Sequence, residues 1–279
     1  MPIHDQGYRR YGGRREAHGR TWWVIARAGV MERLRERKFL GLLLVAWGPF
    51  LVRAVQLYVA ANYSQASFLA PSAGTFREFL TQQSLFVFFI TLYVGSGLIA
   101  NDRRANALQI YLSKPLTRVE YVVGKLTTLL IFLTAVTWLP AILLLLLQMM
   151  FAGNLTFLAA NLFLFPAITV FSAVLVLTSA FAMLALSSLS KSRRFVAVMY
   201  AGLIFFTAAM YQALRGITGS QAWAFISPGD VLDVFSRVIF RVTGPTALPF
   251  PAAVLFVVLL LGASILVLER RVRGVEVVT

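Results

Sequence analysis

The stretch NDRRANALQIYLSKPLTRVEYVVGKL, residues 101–126, places five basic residues, two acids and a proline between two long apolar runs. Ala105, Leu108, Tyr111 and Leu112 fall on one helical face, with Asp102, Arg103, Asn106 and Gln109 away from it, so the first half reads as a short amphipathic helix. Pro115 ends that pattern, because it has no N–H and steers Lys114 away from the α region. Thr117 and Glu120 then stand at capping-box spacing: the hydroxyl accepts from the amide of the third helical residue, and the carboxylate returns to the cap. The pattern predicts two helices meeting at a capped corner over 101–125. A bare connection between helices needs only about two to eight residues, so a segment this long and this ordered calls for a partner.

The flanks set the environment. The chain is 59% hydrophobic with a mean hydropathy of +0.76, and only 13% of its residues are charged, against about 25% in a soluble domain. Apolar runs lie near 39–61, 79–100, 126–151, 160–187, 195–214 and 250–268. About 20 helical residues cross a hydrocarbon layer of about 30 Å. Backbone amides in lipid must be satisfied within the segment, and these runs lack the alternation of barrel strands. The expectation is an all-α integral membrane protein with six transmembrane helices over 39–268. It is preceded by a disordered basic tail (1–19) and an interfacial amphipathic helix (20–38), and followed by a cytoplasmic tail (269–279).

The net charge of +15 is explained by where the 26 Lys and Arg fall. Ten lie in 1–38, five in 101–125, three in 191–194 and three after Glu269, whereas the loops of the other side hold only Arg77, Arg215, Arg237 and Arg241. By the positive-inside rule both termini and the loop 101–125 are cytoplasmic, in a cell (inner) membrane. The basic balance therefore reads as topology, and no nucleic-acid partner is needed to account for it. The first apolar run follows 38 residues and exceeds a signal-peptide core, so it reads as a retained span. There is no cysteine, and His4 and His18 both lie in the tail, leaving no metal site and no catalytic set in the membrane.

Three further segments stand out. In TWWVIARAGVMERLRERK, residues 21–38, Trp23, Ala26, Val30 and Leu34 recur at helical spacing. It reads as a helix lying in the cytoplasmic interface or as an extension of the first span. Between spans 5 and 6, Ser227 and Asp230 have capping-box spacing with Pro228 at the first helical position. Asp233 and Arg237 pair at i, i+4 on an otherwise apolar helix bearing Val231, Phe235 and Ile239. This external helix either closes the outer end of the bundle or rests on its surface. Finally, Arg53 lies inside the first apolar run with Gln56 nearly one turn on. A charge there snorkels outward, or it belongs to a pathway or a dimer seam.

IYLSKPLTRVEYVVGKL resembles the cytoplasmic loop of type-2 ABC transporter permeases. That loop shows leucines, Ser, a basic residue, Pro, Ser or Thr, Arg, two residues, an aliphatic or aromatic residue, and Gly-Lys-Leu. Ser113, Pro115, Thr117, Arg118, Gly124, Lys125 and Leu126 match. The amphipathic lead-in helix and the six spans extend the resemblance over most of the chain. NDRRANA departs from it where the family often carries a Glu-rich turn followed by Gly, with Asp102 as a partial replacement.

The resemblance implies a permease subunit of an exporter, working as a dimer with the same or a related permease. It also implies separate ATP-binding-cassette ATPases that hold ATP and Mg and dock on the loop. The coupling residues would be Asp102, Arg103, Arg104, Leu112, Lys114, Pro115, Leu116, Thr117, Arg118 and Glu120. Arg53, Gln56, Val231, Phe235 and Ile239 would belong to the pathway or its outer gate. The residues agree on one point: VEYVVGKLT lacks the first glycine and the final Ser or Thr of a phosphate-binding loop, so this chain is no ATPase and binds no cofactor itself. A stand-alone secondary carrier or uniporter, and a non-transporting scaffold or mechanotransducer, are the alternatives. The central parts of the spans carry no Asp, Glu, His or Lys, which weighs against an ion-coupled carrier. So apolar a path leans towards lipidic or amphiphilic cargo, while the resemblance permits peptides, drugs, ions or polysaccharides equally.

Overall fold

The computed structural model describes residues 21–63, 65, 71–107, 117–152, 161–244 and 247–272. Among the described residues there are helices and turns and no strand. The α-helices are α1 (Thr21–Leu34), α2 (Arg37–Ala46), α3 (Gly48–Asn62), α4 (Ala73–Ile90), α5 (Ala100–Arg104) and α6 (Arg118–Val136). They continue as α7 (Trp138–Ala152), α8 (Leu164–Leu189), α9 (Arg193–Thr218), α10 (Pro228–Ile239) and α11 (Phe250–Arg271). Six stretches are long and apolar enough to cross a membrane: Arg37–Asn62, Ala73–Arg104, Arg118–Phe151, Leu164–Leu189, Arg193–Thr218 and Phe250–Arg271. They are spans 1 to 6; five contain an apolar run whole, and span 4 starts at Leu164, inside the run 160–187.

Two spans begin earlier than hydropathy alone indicates. Span 2 starts at Ala73 because Ser72 and Thr75 form a reciprocal capping box. The helix thus includes Arg77 and Glu78, charges that a hydropathy window excludes. Span 3 starts at Arg118 under the Thr117 cap, so the second arm of the corner is the first turns of the span itself. Both exceed the ~20 residues needed to cross and extend past the hydrocarbon or tilt within it.

Spans 2, 3 and 4 form the interior, and spans 1, 5 and 6 flank it with most of their surface uncovered. Small residues of α8, including Ala180, Ala182 and Ala185, let neighbouring helices approach. Gly95 shows the limit, since a Cβ there would collide with the Met183 side chain of α8.

The spans are broken at places with identifiable causes. Span 1 breaks at Trp47, two residues before Pro49, and Gln83 Nε2 donates to the Ala46 carbonyl at 3.0 Å. Span 3 breaks at Thr137, where Pro140 cannot donate to Val136. Span 2 contains a π-helical turn, Thr91–Gly95, followed by irregular turns. The N–H groups of Ile99 and Ala100 that this frees both donate to Ser187 Oγ of α8, at 3.2 and 3.1 Å.

α1 packs along the start of span 3. At Gly124 a Cβ would sit 2.7 Å from the Trp22 carbonyl and 2.8 Å from Ile25 Cβ, and Thr128 Oγ1 donates to the Ala26 carbonyl at 3.4 Å. The glycine of the Gly-Lys-Leu element is therefore required by this crossing. The packed face is Trp22, Ile25, Ala26, Gly29 and Arg33. Val30 also packs on the core, while Trp23 and Leu34 are exposed. Gly124 and Gly29 admit the close approach on that side.

Candidate functional site

The corner is built from helix termini. The Thr117 N–H donates to Glu120 Oε2 at 2.9 Å and the Glu120 N–H to Thr117 Oγ1 at 3.2 Å, the two reciprocal bonds of a capping box. The cap launches α6 so that Tyr121 and Lys125, one and two turns on, point back at the first arm. There Asp102 accepts from the Tyr121 hydroxyl at 2.7 Å and pairs with Lys125 Nζ at 2.7 Å. Tyr121 is fully buried, and the Lys125 ammonium lies 5.6 Å from its ring centroid. One carboxylate thus binds the end of span 2 to the start of span 3.

Arg103 is also turned inward. Its guanidinium donates to the Ser188 carbonyl in the last turn of α8, a cation meeting the negative end of a helix. Arg104 and Arg118 are exposed, and Glu120 is half-buried. The expected helix of the first arm is interrupted after Arg104: Asn106 adopts φ 53°, a left-handed conformation that asparagine tolerates better than most residues. Ala107 is helical again, and the stretch from Leu108 to Leu112 lies outside the described residues. Leu112, Lys114, Pro115 and Leu116 lie outside the described residues, as does the tail 1–19.

A second polar cluster adjoins the corner. Glu36, just ahead of span 1, accepts from Arg33 Nη1 and from the Tyr93 hydroxyl, both at 2.6 Å. The Tyr93 hydrogen bond, aided by the Arg33 and Arg193 charges and opposed by burial, holds the Glu36 carboxyl below its ordinary value of 4.5. Arg193, the first residue of span 5, donates to the Tyr93 carbonyl at 2.8 Å and to Ser96 Oγ at 3.3 Å. Spans 1, 2 and 5 are therefore joined through the π-helical segment. Sequence reasoning did not select Tyr121, Glu36, Tyr93, Ser187 or Arg193, and it met Lys125 only within the Gly-Lys-Leu match. For Tyr121 and Lys125 a signal existed, since they follow the Thr117 cap at i+4 and i+8 on one helical face.

At the opposite end, Arg53 Nη1 donates to Gln56 Oε1 at 2.8 Å and Nη2 meets Glu78 Oε2 at 3.1 Å. The Arg53 charge is thus paired with span 2, through an acid that hydropathy left outside the span. Asp233 receives both Arg77 and Arg237, the latter at 2.8 Å, and Arg77 Nε also donates to Ser236 Oγ at 2.8 Å. The Arg77 contacts fasten α10 to α4. Val231 and Phe235 are buried against the bundle and Ile239 is half-buried. The cavity beside Val231, walled by Tyr200, Leu203 and Val257, measures about 30 Å³. That is room for a water or two and for no cargo.

Comparison with known proteins agrees with the six-span fold. Residues 23–271 match the profile of the ABC-2 family transporter protein, which covers every span and the loop between spans 2 and 3. No match was found among curated proteins. Spanning a membrane six times and matching this profile from α1 to the last residue of α11, the chain belongs to the ABC-2 family of transporter proteins and is an ABC transporter permease.

Proposed function

We propose that this permease is half of the membrane path of an exporter, that two copies or two related permeases pair, and that cytoplasmic ATPase subunits dock on the corner over 101–125. Each ATPase would bind ATP and Mg, and both permease termini would lie in the cytoplasm of a cell whose inner membrane holds the complex.

The observation that carries this reading is the double engagement of Asp102 by Tyr121 and Lys125. Charge-assisted hydrogen bonds between largely buried groups resist separation, so the two arms move as one body. Through Arg103 and Ser188 the same body reaches span 4, and through Gly124 it reaches α1. A push on the exposed Arg104 and Arg118 is thereby delivered to the three interior spans. Pairing of permeases is supported by the small cavity beside Val231 and by the uncovered faces of spans 1, 5 and 6.

Pull-down of the ATPase, with ATPase and transport rates in proteoliposomes, tests the reading. Arg104→Glu with Arg118→Glu should weaken ATPase binding in a salt-dependent way, because exposed charges act through screened attraction. Thr117→Ala with Glu120→Ala removes a cap worth about 0.5 to 2 kcal/mol, and should retain binding while ATP hydrolysis runs without matching transport. Parental binding and transport in every variant would reduce 101–125 to a connector and overturn the proposal.

A further inference from the structure

A groove of about 420 Å³ opens sideways between the first turns of span 3 and the last turns of span 6, with span 4 as its floor. Val119, Val122, Phe181 and Ile265 form apolar walls, and Arg118 and Glu269 stand at its rim. The volume lies within the range of small-molecule sites, about 300 to 1,000 Å³. Arg118 is the first residue of its span and Glu269 the third from the end of its own. The charges therefore lie at the depth of lipid headgroups, and the apolar walls descend from them into hydrocarbon. Among the described residues neither Arg118 nor Glu269 takes part in an ion pair. Val119, 70% exposed, leaves the opening clear towards the bilayer.

We infer that this groove is a binding site for a zwitterionic phospholipid with a primary ammonium headgroup, phosphatidylethanolamine. The charges match it part by part. Arg118 presents the planar donor fork that suits a phosphate oxygen pair, and Glu269 accepts from an ammonium that has three N–H donors. A choline headgroup has no N–H to give. An anionic glycerol headgroup would satisfy Arg118 and leave Glu269 facing added negative charge. One acyl chain covers the valine and isoleucine walls, removing apolar surface from the groove's mouth. Arg270 and Arg271 are exposed close by and do not line the groove, so they raise the local positive potential without setting headgroup choice. The site shares Arg118 with the corner, so lipid occupancy and ATPase docking are separated by examining the permease alone.

The test measures lipid bound to the full-length purified permease without any ATPase, so that failure of the docking proposal cannot be mistaken for failure of this one. Permease in phosphatidylcholine nanodiscs doped with equal, small amounts of phosphatidylethanolamine and phosphatidylglycerol is analysed by native mass spectrometry. Phosphatidylethanolamine should be enriched over both other lipids. Glu269→Gln should cut that enrichment about tenfold, the size expected from losing a hydrogen bond to a charged group, with phosphatidylcholine unchanged. Arg118→Gln should lower retention of all three. Val122→Trp, which fills the groove, should abolish enrichment, and the two rim variants carry the test should that variant fold poorly. Enrichment of phosphatidylglycerol instead, an unchanged profile in Glu269→Gln, or no enrichment over the bulk would each overturn the inference.

Discussion

Each polar end of the bundle is organised around one aspartate, and the two use it differently. Asp102 joins span 2 to span 3 through Tyr121 and Lys125, with side chains of Asp102 and Lys125 18% and 15% exposed. Asp233 fastens the accessory helix α10 to span 2 through Arg77, pairs with Arg237 of its own helix, and is 37% exposed. Water weakens the second arrangement and is mostly kept from the first. The same chemistry makes a joint between spans where neighbours close over it, and a latch where solvent competes.

Removing each acid's network in turn tests that contrast. The largest effect should follow Asp102→Ala, which strands the Lys125 ammonium and the buried Tyr121 hydroxyl. A loss of about 2 to 3 kcal/mol is expected, below the value for a fully buried pair because both partners retain some exposure. Unfolding of the purified permease measures it, and Asp102→Ala combined with Lys125→Met should recover part of the loss. A change under about 0.5 kcal/mol, the size of an ordinary surface substitution, would erase the difference between the ends.

Arg77→Ala should cost less, about 1 kcal/mol, since exposed pairs are worth little and this one is only partly covered. Its signature is local: hydrogen exchange should quicken over 228–239 and stay unchanged over 118–126. Faster exchange in both regions would mean that the latch and the joint are one cooperative unit.

The smallest effect concerns Glu36 and acid. A carboxyl held below its ordinary value in the folded chain contributes stability that is fully present above that value and is lost as pH falls through the lowered one. Stability should therefore decline from about pH 4.5 downward, with the contacts of α1 loosening first. In Glu36→Gln this part of the acid slope should vanish. An identical slope in the variant would place the acid sensitivity elsewhere.

Features with a local cause were readable from the chain. Six apolar runs announce six spans because lipid leaves a helix as the only way to satisfy its own amides. The Thr117–Glu120 cap and the Asp233–Arg237 pair were legible because their partners are three and four residues apart. The break at Asn106 was not, since helical periodicity continued past it. Nor was the packing of α1 on span 3, because its residues are apolar on more than one side.

What the sequence alone determined is whatever a residue settles with near neighbours or with the bilayer: the number of spans, their caps, the proline-linked break in span 3, and the basic bias of one set of loops. Tertiary structure alone decided which of those charges meet. Lys125 could have faced water, but Gly124 lets α1 cross so closely that α6 is held with Lys125 against Asp102. Arg77 and Asp233 stand 156 residues apart and become partners only because α10 folds back over the bundle. Arg53 is an isolated charge in the sequence and a paired one in the fold, because the Ser72 and Thr75 cap starts span 2 early enough to carry Glu78 to it. Pairings between distant segments depend on how helices stack, and stacking is set by small residues and side-chain shapes summed over the whole bundle.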